Sequence, residues 1–125
     1  LAVGDATTFQ WEGQIDAVAF ESYLGAPMSK PPVDIKFKTE KAKCREIAFG
    51  FLKNITPLIK SGTPIVMAVP AWLRETGKYA HMNVLDEIQE MGYNFEKFQD
   101  LSQSDLLYFR EGQIVAREII VIRKR

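Results

Sequence analysis

Two apolar runs separated by one long helical period do most to limit what this chain can fold into. "IDAVAFE" at 15–21 is short, almost unbroken and rich in Val, Ile and Phe, and "TPIVMAVPAW" at 63–72 is a second run, bounded by Pro64 and Pro70. Such runs read as strands buried in a sheet. Between them a helical pattern runs from near Thr39 to about Ser61, with Cys44, Ala48, Phe51, Ile55 and Leu58 on one face. Thr39 serves as N-cap, Pro57 bends the last turn and Gly62 stops it. Strand, helix, strand predicts a right-handed βαβ unit.

The remainder follows the same alternation and then departs from it. A helix is predicted over Asn83–Met91, with Val84, Leu85, Ile88 and Met91 on its apolar side and Gly92 at its end. "YNFEKFQ" at 93–99 alternates as a strand does. "LLYFREGQIVAREIIVIRKR" reads as two stretches joined around Glu111-Gly112, an antiparallel hairpin. The fold class is therefore α/β, with parallel strands and flanking helices ending in an antiparallel hairpin, in a single domain over residues 1–125.

Composition narrows the function classes. With 125 residues and 46% hydrophobic content the chain can bury one ordinary core. Sixteen basic and sixteen acidic side chains cancel, so no overall electrostatic footprint marks a nucleic-acid binder. Cys44 is the lone cysteine and His81 the lone histidine, which rules out a disulfide framework, argues against a Cys/His metal site and fits a reducing, cytoplasmic setting. No apolar run reaches membrane-spanning length, and no basic segment followed by a signal-like stretch opens the chain. It opens on Leu1 without an initiator methionine and reads as if cut from something longer.

The first strand ends on a charged, aromatic, glycine-containing corner, Glu21-Ser22-Tyr23-Leu24-Gly25, and strand ends of that kind are where α/β proteins place working groups. In order, "VGDAT" at 3–7, "IDAVAFESYLG", the long helix ending "IKSG", "TPIVMAVPAW" and the closing "REGQIVAREIIVIRKR" cover nearly the whole chain. Together they resemble the later half of a class I S-adenosylmethionine-dependent methyltransferase, a partial Rossmann-like sheet. The closing segment is most similar to the tRNA guanosine-N2 methyltransferases and their DNA amino-methylase relatives.

The resemblance implies that Asp5 and Ala6 contact the adenine of S-adenosyl-L-methionine. It implies that Glu21, Ser22 and Tyr23 stand where amino-group methylases carry Asp-Pro-Pro-Tyr or Asn-Pro-Pro-Tyr. Here glutamate replaces the usual acid or amide, both prolines are missing and the aromatic comes one position early. The glycine-rich first strand and the acidic second strand of the family are absent from the sequence. An exocyclic amine is a poor nucleophile because its lone pair is delocalised, so an enzyme must accept its N–H bonds and aim the nitrogen at the methyl donor. Glu21 and the Ser22 carbonyl suit that task, and Tyr23 suits stacking on a splayed base.

Each residue also has a plainer reading: Asp5 as a turn cap, Glu21 as a solvated charge, Tyr23 as a rim aromatic and His81 as a surface or cap residue. Leu24 and Gly25, with Pro70 and Trp72 at the next strand end, are the substrate-binding candidates, Trp72 being either a packed cover or a stacking platform. The proline-rich stretch "APMSKPPVDIKFK" at 26–38 is long for a connection and reads as a recognition or gating loop.

The activity implied is methyl transfer to an exocyclic amine of a nucleic-acid base. Guanosine N2 in tRNA is favoured, with a DNA amino-methylase as alternative, and this chain alone is expected to be inactive. A third reading is a non-enzymatic fragment or degenerate paralogue acting as an interaction module. In the family "IDAVAFE" lies mid-sheet, between the first strand and "TPIVMAV". One edge is therefore predicted to lack a partner, giving a homo-oligomer across it or a fold-back of "LAVG" onto it.

Overall fold

The structure, a computed structural model, describes residues 1–125. Its first strand, β1 (Val18–Glu21), is followed by helix α1 (Asp34–Ile55), a 3-10 turn at Thr56–Leu58 and strand β2 (Pro64–Leu73). Then come β3 (Tyr79–Ala80), α2 (Leu85–Glu90), β4 (Tyr93–Phe95), a 3-10 turn at Gln103–Leu106, β5 (Leu107–Tyr108) and β6 (Val115–Lys124). The strands form one mixed sheet in the order β1-β2-β6-β4, with β3 extending the β1 side of β2 and β5 pairing with β6.

β1 and β2 are parallel, Val18 beside Ile65 through Glu21 beside Ala68, and α1 connects them, so the βαβ connection read from the sequence is present. β6 runs antiparallel to β2 from Pro64↔Arg123 to Trp72↔Val115. The hairpin is also present, although its first arm pairs only at Leu107↔Glu118 and Tyr108↔Arg117.

One sheet face is covered. Val18 and Phe20 of β1, Ile65, Met67 and Val69 of β2, and Ile120 and Ile122 of β6 meet Cys44, Ala48, Phe51, Leu52 and Ile55 of α1 and Ile88 of α2 in a single core. The two helices are tied side by side: Arg45 of α1 donates to the carbonyls of Met82 (3.1 Å) and Asn83 and pairs with Glu87 of α2. The opposite face has no helix of its own, and Val66 there is 39% exposed.

Several readings change. α1 begins at Asp34 rather than Thr39, because "DIKFK" is its first turn: the Phe37 N–H donates to the Val33 carbonyl, and Thr39 bonds back to Ile35 within the helix. The connection after β1 is correspondingly shorter, Ser22 to Val33. Leu58 leaves the apolar face and is 41% exposed, since the chain turns 3-10 at Pro57. β1 alternates in burial rather than being buried on both faces, while its free edge, with β2 its one partner, is the edge expected to lack a partner.

Pro70 does not bound β2; the strand passes through it to Leu73. Ala68 turns its carbonyl toward β1, where it accepts the Ser22 N–H at 2.9 Å. Two residues on, the donor-less nitrogen of Pro70 faces the same side, beyond the end of β1, where the ladder has no need of it.

Cys44 lies at the centre of the α1–sheet contact with no exposed surface. Burial, and then the neighbouring Glu40 carboxylate, push its thiol up to about 11. The folded chain therefore keeps a proton that the unfolded chain releases above its ordinary value of 9.0, so stability falls as pH rises across that window. The total loss is about 2–3 kcal/mol. Urea midpoints at pH 8 and pH 10.5 check this: the wild type should lose more stability between them than Cys44→Ala.

Candidate functional site

β1 ends where its apolar alternation meets Glu21, and the ladder closes with the Ser22 N–H on the Ala68 carbonyl. Glu21 reaches across β2 to Arg117 on β6, whose Nε and Nη2 both donate to its carboxylate, the latter at 3.4 Å. This hydrogen bond holds the Arg117 guanidinium above its ordinary value. The pair is half open to solvent, so its worth is in orientation more than stability. A carboxylate offers about four acceptor sites, and Arg117 takes up only some of them. Tyr23, next in the chain, is 44% exposed with its ring available for stacking.

The turn is fixed from below by α1. Gly25 has φ +87°, and a Cβ there would stand 3.1 Å from Oε2 of Glu40, 3.6 Å from the Cys44 sulfur and 3.9 Å from the Trp72 indole nitrogen. That Glu40 oxygen accepts the Ala26 N–H at 3.0 Å, and Lys43 lies 3.7 Å from its other oxygen. Leu24 is half-buried at the same turn.

The second pair of substrate candidates reads differently in three dimensions. Pro70 and Trp72 are both fully buried; Trp72 packs edge-on against Phe37, which Arg74 covers at 4.1 Å. Trp72 is thus a packed cover beneath the corner and presents no stacking surface. Its indole N–H and the Ser22 hydroxyl are buried without protein partners.

Asp5 and Ala6 come to the other flank of β1. Asn54 of α1 donates to the Ala6 and Phe9 carbonyls, each at 2.9 Å, and Trp11 stands edge-on to Phe51, so this segment docks on the helix. Gly50 makes the approach possible, since a Cβ there would meet Thr7 at 3.0 Å. Ala6, Trp11, Ala19, Phe20 and Glu21 then line one apolar groove of about 390 Å³ along the free edge of β1. The Asp5 side chain is not among its lining. It caps its own turn, accepting from the Thr7 hydroxyl (2.7 Å) and N–H (2.9 Å), and those bonds hold its carboxyl below the ordinary range.

Three polar groups that matter here were not singled out from the sequence. Arg117 and Glu40 are remote in sequence from the residues they hold, and no local pattern links them. Glu118 carried a signal: the alternation "A-R-E-I-I-V-I" puts it on the same side as Ile120 and Ile122. It is 2% exposed, accepting from Gln103 at 2.6 Å and bonded to His81 Nδ1 at 2.9 Å. His81 is therefore the partner of a buried carboxylate rather than a plain surface residue.

No family model matches the chain, and a search of curated proteins finds no relative. No helix is long and apolar enough to cross a membrane.

Gly25→Ala should destabilise the chain by about 1–3 kcal/mol, because an L side chain is strained at this φ and its methyl presses on the Glu40 carboxylate. Urea denaturation checks it; Gly77→Ala, which has the strain at φ +80° but open space around it, should cost less.

Proposed function

We propose that this chain is the later part of an S-adenosylmethionine-dependent methyltransferase domain acting on an exocyclic amine of a nucleic-acid base, with guanosine N2 in tRNA as favoured acceptor. The observation that carries the reading is the free edge of β1: the Glu21-Ser22-Tyr23 corner stands at its end, and Ala6 and Glu21 share the groove along it. The parallel β1–β2 pair finished by antiparallel β6 agrees with the half-sheet that the resemblance implies. A doubly wound sheet carries helices on both faces, whereas α1 and α2 here cover one, which also fits half of such a domain.

The residues present fit only the adenine end of the cofactor. Ala6, Trp11 and Ala19 offer an apolar wall, and the sequence holds no glycine-rich strand turn or ribose-binding acid for the remainder. When bound, S-adenosylmethionine supplies a methyl group on a sulfonium centre. Glu21 and the Ser22 carbonyl accept the N–H bonds of the acceptor amine and aim its nitrogen. Arg117 fixes the carboxylate that does so. Tyr23 holds the base by stacking.

The chain by itself should show no micromolar binding of S-adenosylmethionine by calorimetry. With the family's first strands present in the same protein, Glu21→Gln or Tyr23→Ala should lower methyl transfer to tRNA by roughly 10²-fold with cofactor affinity unchanged. Retained turnover in both variants would show the corner to be structural, and transfer to DNA in place of tRNA would favour the DNA amino-methylase.

The free edge also supports a homo-oligomer of this chain. The Ser22 N–H faces β2, so Ala17, Ala19 and Glu21 turn their backbone groups outward with no strand to receive them. Leu1 to Gly4 are exposed and do not fold back over this edge. Light scattering should report a dimer or larger, and Ala19→Lys should dissociate it; a monomeric wild type overturns the claim.

A further inference from the structure

Beyond the corner, at the turn that joins β5 to β6, the structure holds a second polar construction that methyl transfer does not use. The Glu118 carboxylate, 2% exposed, is bonded by Gln103 at 2.6 Å and by His81 Nδ1 at 2.9 Å. Burying a carboxylate costs several kcal/mol that an apolar residue of similar size would avoid. Here that carboxylate orients one imidazole, taking the hydrogen on Nδ1 and leaving Nε2 without a protein partner. His81 lines an open pocket of about 550 Å³ together with Lys78, Tyr79 and Phe109.

The pocket wall is aromatic and held in place. Tyr79 and Phe109 pack with ring centroids 4.7 Å apart and planes tilted by 37°, and Phe109 remains 47% exposed. The Tyr79 hydroxyl donates to the Gln113 carbonyl, and the Gln113 side chain accepts the Arg110 N–H at 3.0 Å, so the turn carrying Phe109 and Arg110 is braced from both sides. Lys78 is exposed and takes part in no ion pair, and Glu111 is the acid of the same lining, whereas Arg110 lines a separate hollow with Tyr108, Gln113 and Arg117. A rigid exposed aromatic, a fixed imidazole nitrogen and one free cation suit a ligand with a flat aromatic face, a polar base edge and a phosphate.

We propose that this pocket binds a nucleotide unit: the base lies against Phe109, its polar edge meets His81 Nε2, and the phosphate faces Lys78. The unit comes either from a single strand or from a free nucleotide. The assignment stands on this pocket and requires neither a cofactor nor methyl transfer, so its test is independent of the reading above.

The test is fluorescence anisotropy on the whole chain with a labelled ten-nucleotide single-stranded RNA, competed by AMP, by inorganic phosphate and by an abasic strand of equal length. Saturable binding is expected, weakened about tenfold or more by Phe109→Ala. His81→Ala should weaken it as well, and Lys78→Ala should lower the salt slope by about 0.7. Lys53→Ala, on α1, controls for loss of one positive charge, and Glu118→Gln, which keeps the shape of the buried group, tests the orientation of His81 without removing it. Competition by AMP with the same sensitivity to Phe109→Ala identifies a free nucleotide as occupant; binding confined to the strand identifies nucleic acid, and either supports the site. Binding of the abasic strand as tightly as the base-bearing one, affinity unchanged in Phe109→Ala, or no saturable binding overturns it.

Discussion

The antiparallel ladder between β2 and β6 is the constraint on which the rest depends. These are the two strands of the sheet with partners on both edges, and their register sends Ile65, Met67 and Val69 to the same side as Ile120 and Ile122. A slip of one residue would turn every one of these side chains to the face that has no helix. Cys44, Ala48, Leu52 and Ile55 of α1 then have only one surface to settle on. β1 is held in turn by β2 alone, and that single partnership leaves the corner at its end both anchored and accessible.

Two buried carboxylates organise the end of the sheet where the corner lies. Glu40 rises from α1 to hold the turn at Gly25 and Ala26, and Glu118 projects from β6 to hold Gln103 and His81. Each sits beside a segment with few regular hydrogen bonds of its own. An acceptor placed in the core gives such a segment one defined conformation, because the alternative is an unpaired buried charge. Glu21 and Arg117 do similar work in the open, joining β1 to β6 over the top of β2. The loops at this end are thus fastened by polar contacts, while apolar packing is reserved for the layer below.

Much of the framework was legible in the residues. Val, Ile and Phe in "IDAVAFE" and "TPIVMAVPAW" mark strands, and the spacing of Cys44, Ala48, Phe51 and Ile55 marks a helix face, because strand and helix periods are imposed by backbone geometry alone. The start of α1 was not, since Val33 is no capping residue and Phe37 belongs to the helix through its contact with Trp72. Pro70 inside β2 was hidden for a related reason: a proline is tolerated there only because β1 stops short of it, a fact about a neighbouring strand.

The site divides in the same way. The sequence by itself determined that an acid, a small polar residue, an exposed tyrosine and a glycine would gather at the end of the first strand, because strand-to-loop transitions are local and Gly25 must adopt a positive φ that its neighbours cannot. Only the tertiary structure decided that Arg117 would face Glu21, that Trp72 would close beneath the corner, that Asp5 would bond its own turn while Ala6 joined the groove, and that Glu118 would orient His81. Those contacts join residues far apart along the chain. They are set by strand order and register, which depend on how whole faces pack and not on any short run of residues.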